Sequence, residues 1–201
     1  MNRQFLTLSI FSIVLLFTFS EIAAAQSHRD TTALKKAEFH VDFRWDNATL
    51  SPTYLNNRSQ LKSLSDSISA LRDSSKVINN IERIGVKSYS SPEGAYQYNV
   101  RLARRRASAM LRFLSSEYAD LADRIYIEAD GESWHMFRNK VLSDNKLTAS
   151  QRQRLLEIID ADITADSKKT LLKTYDIALY RRIIREYFVD MRRSFITLEW
   201  T

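Results

Sequence analysis

The stretch with the strongest hold on the fold is residues 88–114, SYSSPEGAYQYNVRLARRRASAMLRFL. It reads as the end of a strand, a tight turn and a long basic amphipathic helix. Ser91-Pro92 predicts the helix start, because serine can cap and proline tolerates the first helical position. Gly94 predicts a bend where a side chain would clash. Asn99, Leu102, Ala103, Arg106, Ala107, Met110 and Leu114 then recur at helical spacing along one stripe. Asn99 and Arg106 interrupt that otherwise apolar face, while Arg101, Arg104 and Arg105 point elsewhere. An inward arginine needs a partner, since a buried unpaired charge is costly.

The rest of the chain supplies elements for that segment to pack on. Residues 38–45 alternate, with Phe39, Val41, Phe43 and Trp45 on one side and Glu38, His40, Asp42 and Arg44 on the other. This predicts a strand with one buried face. Asp46-Asn47 turns the chain, and Ser51-Pro52 predicts a helix whose stripe is Leu61, Leu64, Ile68 and Leu71. Residues 81–90 give a second strand and residues 124–131 a third, with Ile125, Ile127 and Ala129 on one face. From 134 to 188 the pattern is helical, including a capping box of Thr148 with Gln151. There Leu171, Leu172, Tyr175, Leu179, Ile183 and Tyr187 keep helical spacing up to the closing strand. In that strand Ile196, Leu198 and Trp200 alternate with Phe195 and Thr197. The expected class is α+β: β-α-β-α-β, inserted helices, then β, with helices on one face of a small mixed sheet.

At 201 residues, 44% of them apolar, the chain is long enough for one domain with a full core. The net charge of +6 favours acidic partners. Nucleic acid is excluded among these by the N-terminus, which reads as a secretory signal over residues 1–25. Arg3 supplies the basic end, residues 6–19 the apolar run and Ala23-Ala24-Ala25 the cleavage pattern. A flexible leader over 26–36 and a domain over 37–201, with the helical insertion at 134–188, complete the expected organisation. No membrane span remains after cleavage. With no cysteine, the chain has no disulfide, no thiolate metal site and no lipid-modified cysteine. A periplasmic location suits such a protein. His28, His40 and His135 share no motif, so neither a metal site nor a catalytic triad is expected. The chain is read as a non-enzyme without a cofactor.

Residues 94–107 resemble the C-terminal domain of outer-membrane protein A, the OmpA-like peptidoglycan-associated family. The family's glycine turn followed by Asn-x-x-Leu-Ser-x-x-Arg-Ala stands here as Gly94 and then residues 99–107, NVRLARRRA. Residues 43–50, FRWDNATL, are similar to its first strand and turn, and residues 192–199, RRSFITLE, to its closing strand. The resemblance covers roughly 37–131 and 190–200, so the helices between are a departure, and the SPEG turn marks a divergent variant. It implies noncovalent binding of peptidoglycan through the diaminopimelate of the stem peptide, linking cell wall and outer envelope. Arg106 matches the arginine that holds the diaminopimelate carboxylate, and a planar guanidinium suits that task. Pairing of Arg106 with an internal acid such as Glu93 or Asp130 is the structural alternative. Asn99 matches the family asparagine and Asp46 a polar position bordering the same pocket. Ser91 lies where the family carries the aspartate that meets the ligand's amino group. Serine accepts a hydrogen bond but brings no charge, and Glu93 is the replacement with longer reach. The alternative function is an adaptor that docks an outer-membrane barrel or a surface-appendage assembly protein through the insertion.

Overall fold

The computed structural model describes residues 34–75 and 80–201. The expected signal sequence and most of the expected leader lie outside these residues.

Four strands form one mixed sheet in the order β1-β4-β2-β3. They are β1 (Lys35–Asp42), β2 (Ile81–Ser90), β3 (Ile125–Glu132) and β4 (Arg193–Trp200). β4 runs antiparallel to both neighbours, and β2 and β3 are parallel. Two helices, α1 (Asn57–Ser75) and α2 (Tyr96–Glu117), connect β1 to β2 and β2 to β3. The architecture is α+β in the expected order. The main core sets Val41, Phe43, Ile84, Val86, Ile196 and Leu198 of the sheet region against Leu64 and Ile68 of α1 and Met110 and Leu114 of α2. Each such side chain contributes about 1.5–3 kcal/mol by leaving water.

Between β3 and β4 lie four helices: α3 (Trp134–Ser143), α4 (Ala149–Asp160), α5 (Ala165–Tyr175) and α6 (Ile177–Glu186). They close on a second core that includes Phe137, Val141, Leu155, Ile158, Leu172, Ile183 and Phe188. The Thr148–Gln151 capping box is formed in both directions.

Several local expectations are corrected. β1 begins at Lys35, inside the expected leader, and ends at Asp42 rather than Trp45. Asn47 N–H donates to Arg44 O and Asp46 has φ +51°, so the chain has already turned at Trp45, which is 67% exposed. α1 starts at Asn57, not at Ser51-Pro52. The buried Asn57 amide donates to Asp42 O and Ser51 O and accepts from Asp42 N–H, which folds 51–56 into turns. α2 likewise starts at Tyr96 rather than at Ser91-Pro92. Ile127, expected on a buried face, is exposed on β3, the edge strand beside β2. The helical run expected through 171–187 divides at Asp176, whose carboxylate accepts from Ala178 N–H and Leu179 N–H and caps α6.

Candidate binding site

The turn between β2 and α2 lies at one end of the sheet, opposite the turn that follows β1. A cavity of about 220 Å³ opens between them, and all five residues singled out from the sequence line it: Asp46, Ser91, Glu93, Asn99 and Arg106. Trp45, Tyr98 and Arg192 complete the polar and aromatic part of the wall.

Arg106 is delivered by the inward stripe of α2, is 0% exposed, and lies beneath the cavity as one of its lining residues. Nε–H donates to Asn47 O (3.0 Å), Nη1 to Tyr89 O (2.8 Å) and Nη2 to Arg44 O (3.3 Å). The guanidinium lies 5.2 Å from the centre of the Phe43 ring. Among the described residues it forms no ion pair. Glu93 and Asp130, the internal acids expected as alternatives, are engaged with Arg192 and Lys87. Burial lowers the Arg106 pKa to about 10, helped by the neighbouring positive charge of Arg192 and opposed by Asp46. The side chain therefore stays protonated at neutral pH.

Glu93 is not a free carboxylate. Arg192, immediately before β4, donates from Nη2 to its Oε1 at 2.7 Å. Ser91 Oγ donates to Glu93 Oε2 at 3.3 Å and accepts from Arg192 Nε at 3.5 Å. Asp46, on the rim, accepts from the Tyr98 hydroxyl, and that hydroxyl also accepts from Arg105 Nη2. The cavity thus holds two guanidinium groups and two carboxylates, with one of each already joined.

Asn99 belongs to the scaffold of the turn. Its Nδ2 donates to Ser91 O (3.1 Å) and Glu132 Oε1 (2.7 Å), with Gly94 O more distant at 3.4 Å. Glu132 Oε1 also accepts from Lys169 Nζ at 2.6 Å, and Oε2 accepts from Trp134 Nε1 at 2.9 Å. Lys169 completes its donors on Gly94 O (2.6 Å) and Asp166 Oδ1 (2.7 Å). The insertion therefore grips the turn through α5, and Asp166 also accepts from Tyr96 N–H at the start of α2.

Gly94 does not play the part expected of it. Its φ is not positive, and a Cβ there would make ordinary contact, 3.6 Å from Asn99 Oδ1. Gly131 is the position that needs glycine: its φ is +71°, and a Cβ would lie 3.0 Å from Val100 Cγ2.

Sequence reasoning missed Arg192, Lys169 and Glu132. Lys169 carried a signal, since it sits three residues before Leu172 on the buried face of an amphipathic helix. Among the described residues no group of His, Asp or Glu is arranged to hold a metal, and no helix is long and apolar enough to cross a membrane.

Fold and site together define an α+β domain with a small, charged cavity where two strand–helix turns meet. No family model and no curated protein matches the chain. Among solved structures it is similar to the OmpA-like domain of FopA1 from Francisella tularensis subsp. tularensis SCHU S4. The identity is 14% and the TM-score 0.42, over 83% of this chain and 74% of that one.

Proposed function

We propose that the cavity binds the zwitterionic end of a peptidoglycan stem peptide, the diaminopimelate, without covalent attachment, and that the domain so links cell wall and outer envelope from the periplasm. The observation that carries this is Arg106: a buried cation, fixed by three backbone carbonyls and without a carboxylate partner among the described residues, beneath a cavity that it lines. The volume of about 220 Å³ matches roughly seven waters, enough for an amino-acid head group. A ligand carboxylate is drawn to the positive charge of Arg106 and completes its donors once the side chains covering the guanidinium move aside, and the ligand ammonium meets Asp46 on the rim. Glu93, held by Arg192, shapes the wall rather than supplying the free negative charge. The three sequence segments that resemble OmpA-like domains point the same way.

Cosedimentation with purified sacculi tests this. Binding falls on Arg106→Ala by roughly 10- to 100-fold, the worth of a charge-assisted contact, and weakens with salt. Because Arg106 is buried, the exposed Asp46→Asn is the companion variant; it lowers affinity for free diaminopimelate while the fold stays intact. Equal cosedimentation of wild type and both variants refutes the proposal.

A second reading, an adaptor docking an outer-membrane barrel or a surface-appendage assembly protein, draws on Leu142, Ile163, Tyr175 and Ile177. These are exposed apolar residues on or beside the inserted helices. Crosslinking through 134–188 without sacculus binding favours it.

A further inference from the structure

Away from the cavity, α2 carries a second feature that the proposed function leaves unused. Arg101, Arg104, Arg105, Ser108 and Arg112 follow one another at spacings of three, one, three and four, so they lie along one face of the helix. All four arginines are exposed. A helix advances about 1.5 Å per residue, so the stripe is roughly 16 Å long. No acidic residue occurs in α2 before Glu117, at its last position. Like charges one turn apart destabilise a helix, and here nothing on the helix relieves them. Among the described residues Arg101, Arg104 and Arg112 make no hydrogen bond, ion pair or ring contact. Arg105 alone is engaged, with the Tyr98 ring and hydroxyl.

The stripe also has a facing wall. Ala48 and Thr49, from the loop after β1, stand across from it and enclose an open groove of about 590 Å³. Its lining is Ala48, Thr49, Arg104, Arg105, Ser108 and Arg112, so it contains three guanidinium groups and two hydroxyls and no carboxylate. A carboxylate ligand has two oxygens to satisfy. A phosphate has three or four, and at neutral pH a monoester carries close to two negative charges. Three guanidinium forks and two hydroxyls lining one groove fit the second chemistry better.

The geometry points to this groove as a binding site for phosphate groups, presented as a phosphate ester or diphosphate, separate from the Arg106 cavity. Two sources share that chemistry, a phosphorylated lipid headgroup and a soluble phosphate compound. The binding chemistry rests on the arginines and hydroxyls alone.

The test uses the mature chain with three probes: inorganic pyrophosphate, phosphatidylcholine vesicles containing phosphatidic acid, and citrate as a carboxylate control of comparable charge. Saturable binding of pyrophosphate, vesicles or both, stronger than that of citrate, is the expected result. Pyrophosphate alone assigns a soluble ligand, and vesicle binding assigns a lipid headgroup. Arg112→Gln weakens it about 5-fold and Arg104→Gln/Arg112→Gln about 25-fold, the scale of exposed charge contacts at low salt. Both are surface changes that keep a good helix former and relieve like-charge repulsion, so circular dichroism is unchanged and thermal melting stays at or slightly above the wild-type value. Sacculus cosedimentation through Arg106 is expected to persist in the double variant, which separates this site from the cavity. Citrate binding as tightly as pyrophosphate, loss of sacculus binding in place of phosphate binding, or unchanged phosphate affinity in the double variant overturns the assignment.

Discussion

Replacing Lys169 by Met probes the buried ion pair between the inserted helices and the end of β3, beside the turn. Lys169 and Glu132 side chains are 4% and 0% exposed, with Nζ and Oε1 2.6 Å apart. At an effective dielectric of about 20 their attraction is about 6 kcal/mol, most of it offset by the cost of removing both charges from water. Breaking such a pair from one side is a different matter, because the remaining carboxylate stays in place without its cation. The typical loss is about 3–5 kcal/mol. Glu132 retains its bonds from Asn99 and Trp134, which puts the expected loss near the lower figure. For a chain of this size a loss of about 3 kcal/mol lowers Tm by roughly 6–12 °C. Urea unfolding of wild type, Lys169→Met, Glu132→Gln and the double variant measures both the loss and the coupling. The double variant is expected to be more stable than the sum of the singles by at least about 1.5 kcal/mol. A Lys169→Met loss below about 1 kcal/mol, or strict additivity, refutes the claim that this pair clamps the turn.

Two further outcomes follow from local geometry. Gly131→Ala forces a side chain into a φ of +71° against Val100 and costs about 1–2 kcal/mol in urea unfolding, whereas Gly94→Ala makes only ordinary contacts and changes stability by less than about 0.5 kcal/mol. His40 has its pKa lowered from 6.5, first by burial and then by Arg193, against the pull of Asp42 and Asp190. Below pH 6.5 the unfolded chain then binds more protons than the folded one, so stability is full above that pH and declines as pH falls through the lowered value. Thermal melts between pH 7 and 4.5 show a smaller decline in His40→Gln than in wild type.

Alternation and length made the sheet legible. β2 occupies the expected residues, and in β4 Ile196 and Leu198 are buried on the face read from their spacing. β4 buries apolar residues at period two, a signal that belongs to the strand itself, whereas β2 is poorer in pattern and is placed by the turn that follows it. Helix starts were not legible in the same way. Ser91 resembles a cap, but its hydroxyl is taken up by Glu93 and Arg192, the latter 101 positions away, and α2 begins at Tyr96 behind Ala95, which offers no side-chain cap. Asn57 looks like an ordinary polar residue until the loop it organises is seen. The cavity was half legible. The residues contributed by the turns could be named from spacing and resemblance, whereas Arg192 and Lys169 arrive from distant elements, and nothing in their local sequence says which carboxylate they meet.

Arg106 and Arg192 enter the same cavity with different consequences. Arg192 has Glu93 at 2.7 Å and forms a closed pair. Arg106 has the carbonyl dipoles of Arg44, Asn47 and Tyr89 and the Phe43 ring but no ion pair among the described residues, and burial lowers its pKa to about 10. A fold that needed only to fill this space could do so with an apolar side chain, without the penalty of a buried charge. The three carbonyls show why stability measurements on Arg106 cannot by themselves decide its role. They lose their donors in any apolar variant, so destabilisation follows whether or not a ligand ever binds. Asp46 is free of that confusion. It is exposed, it raises the pKa of Arg106 from the rim, and its main partner, Tyr98, lies at the surface. Neutralising it leaves the buried guanidinium and its carbonyls intact and removes only the negative charge offered to a ligand ammonium. A selective loss of zwitterion binding in Asp46→Asn, with simple carboxylates bound no more weakly than before, is therefore the outcome that a purely structural Arg106 cannot produce.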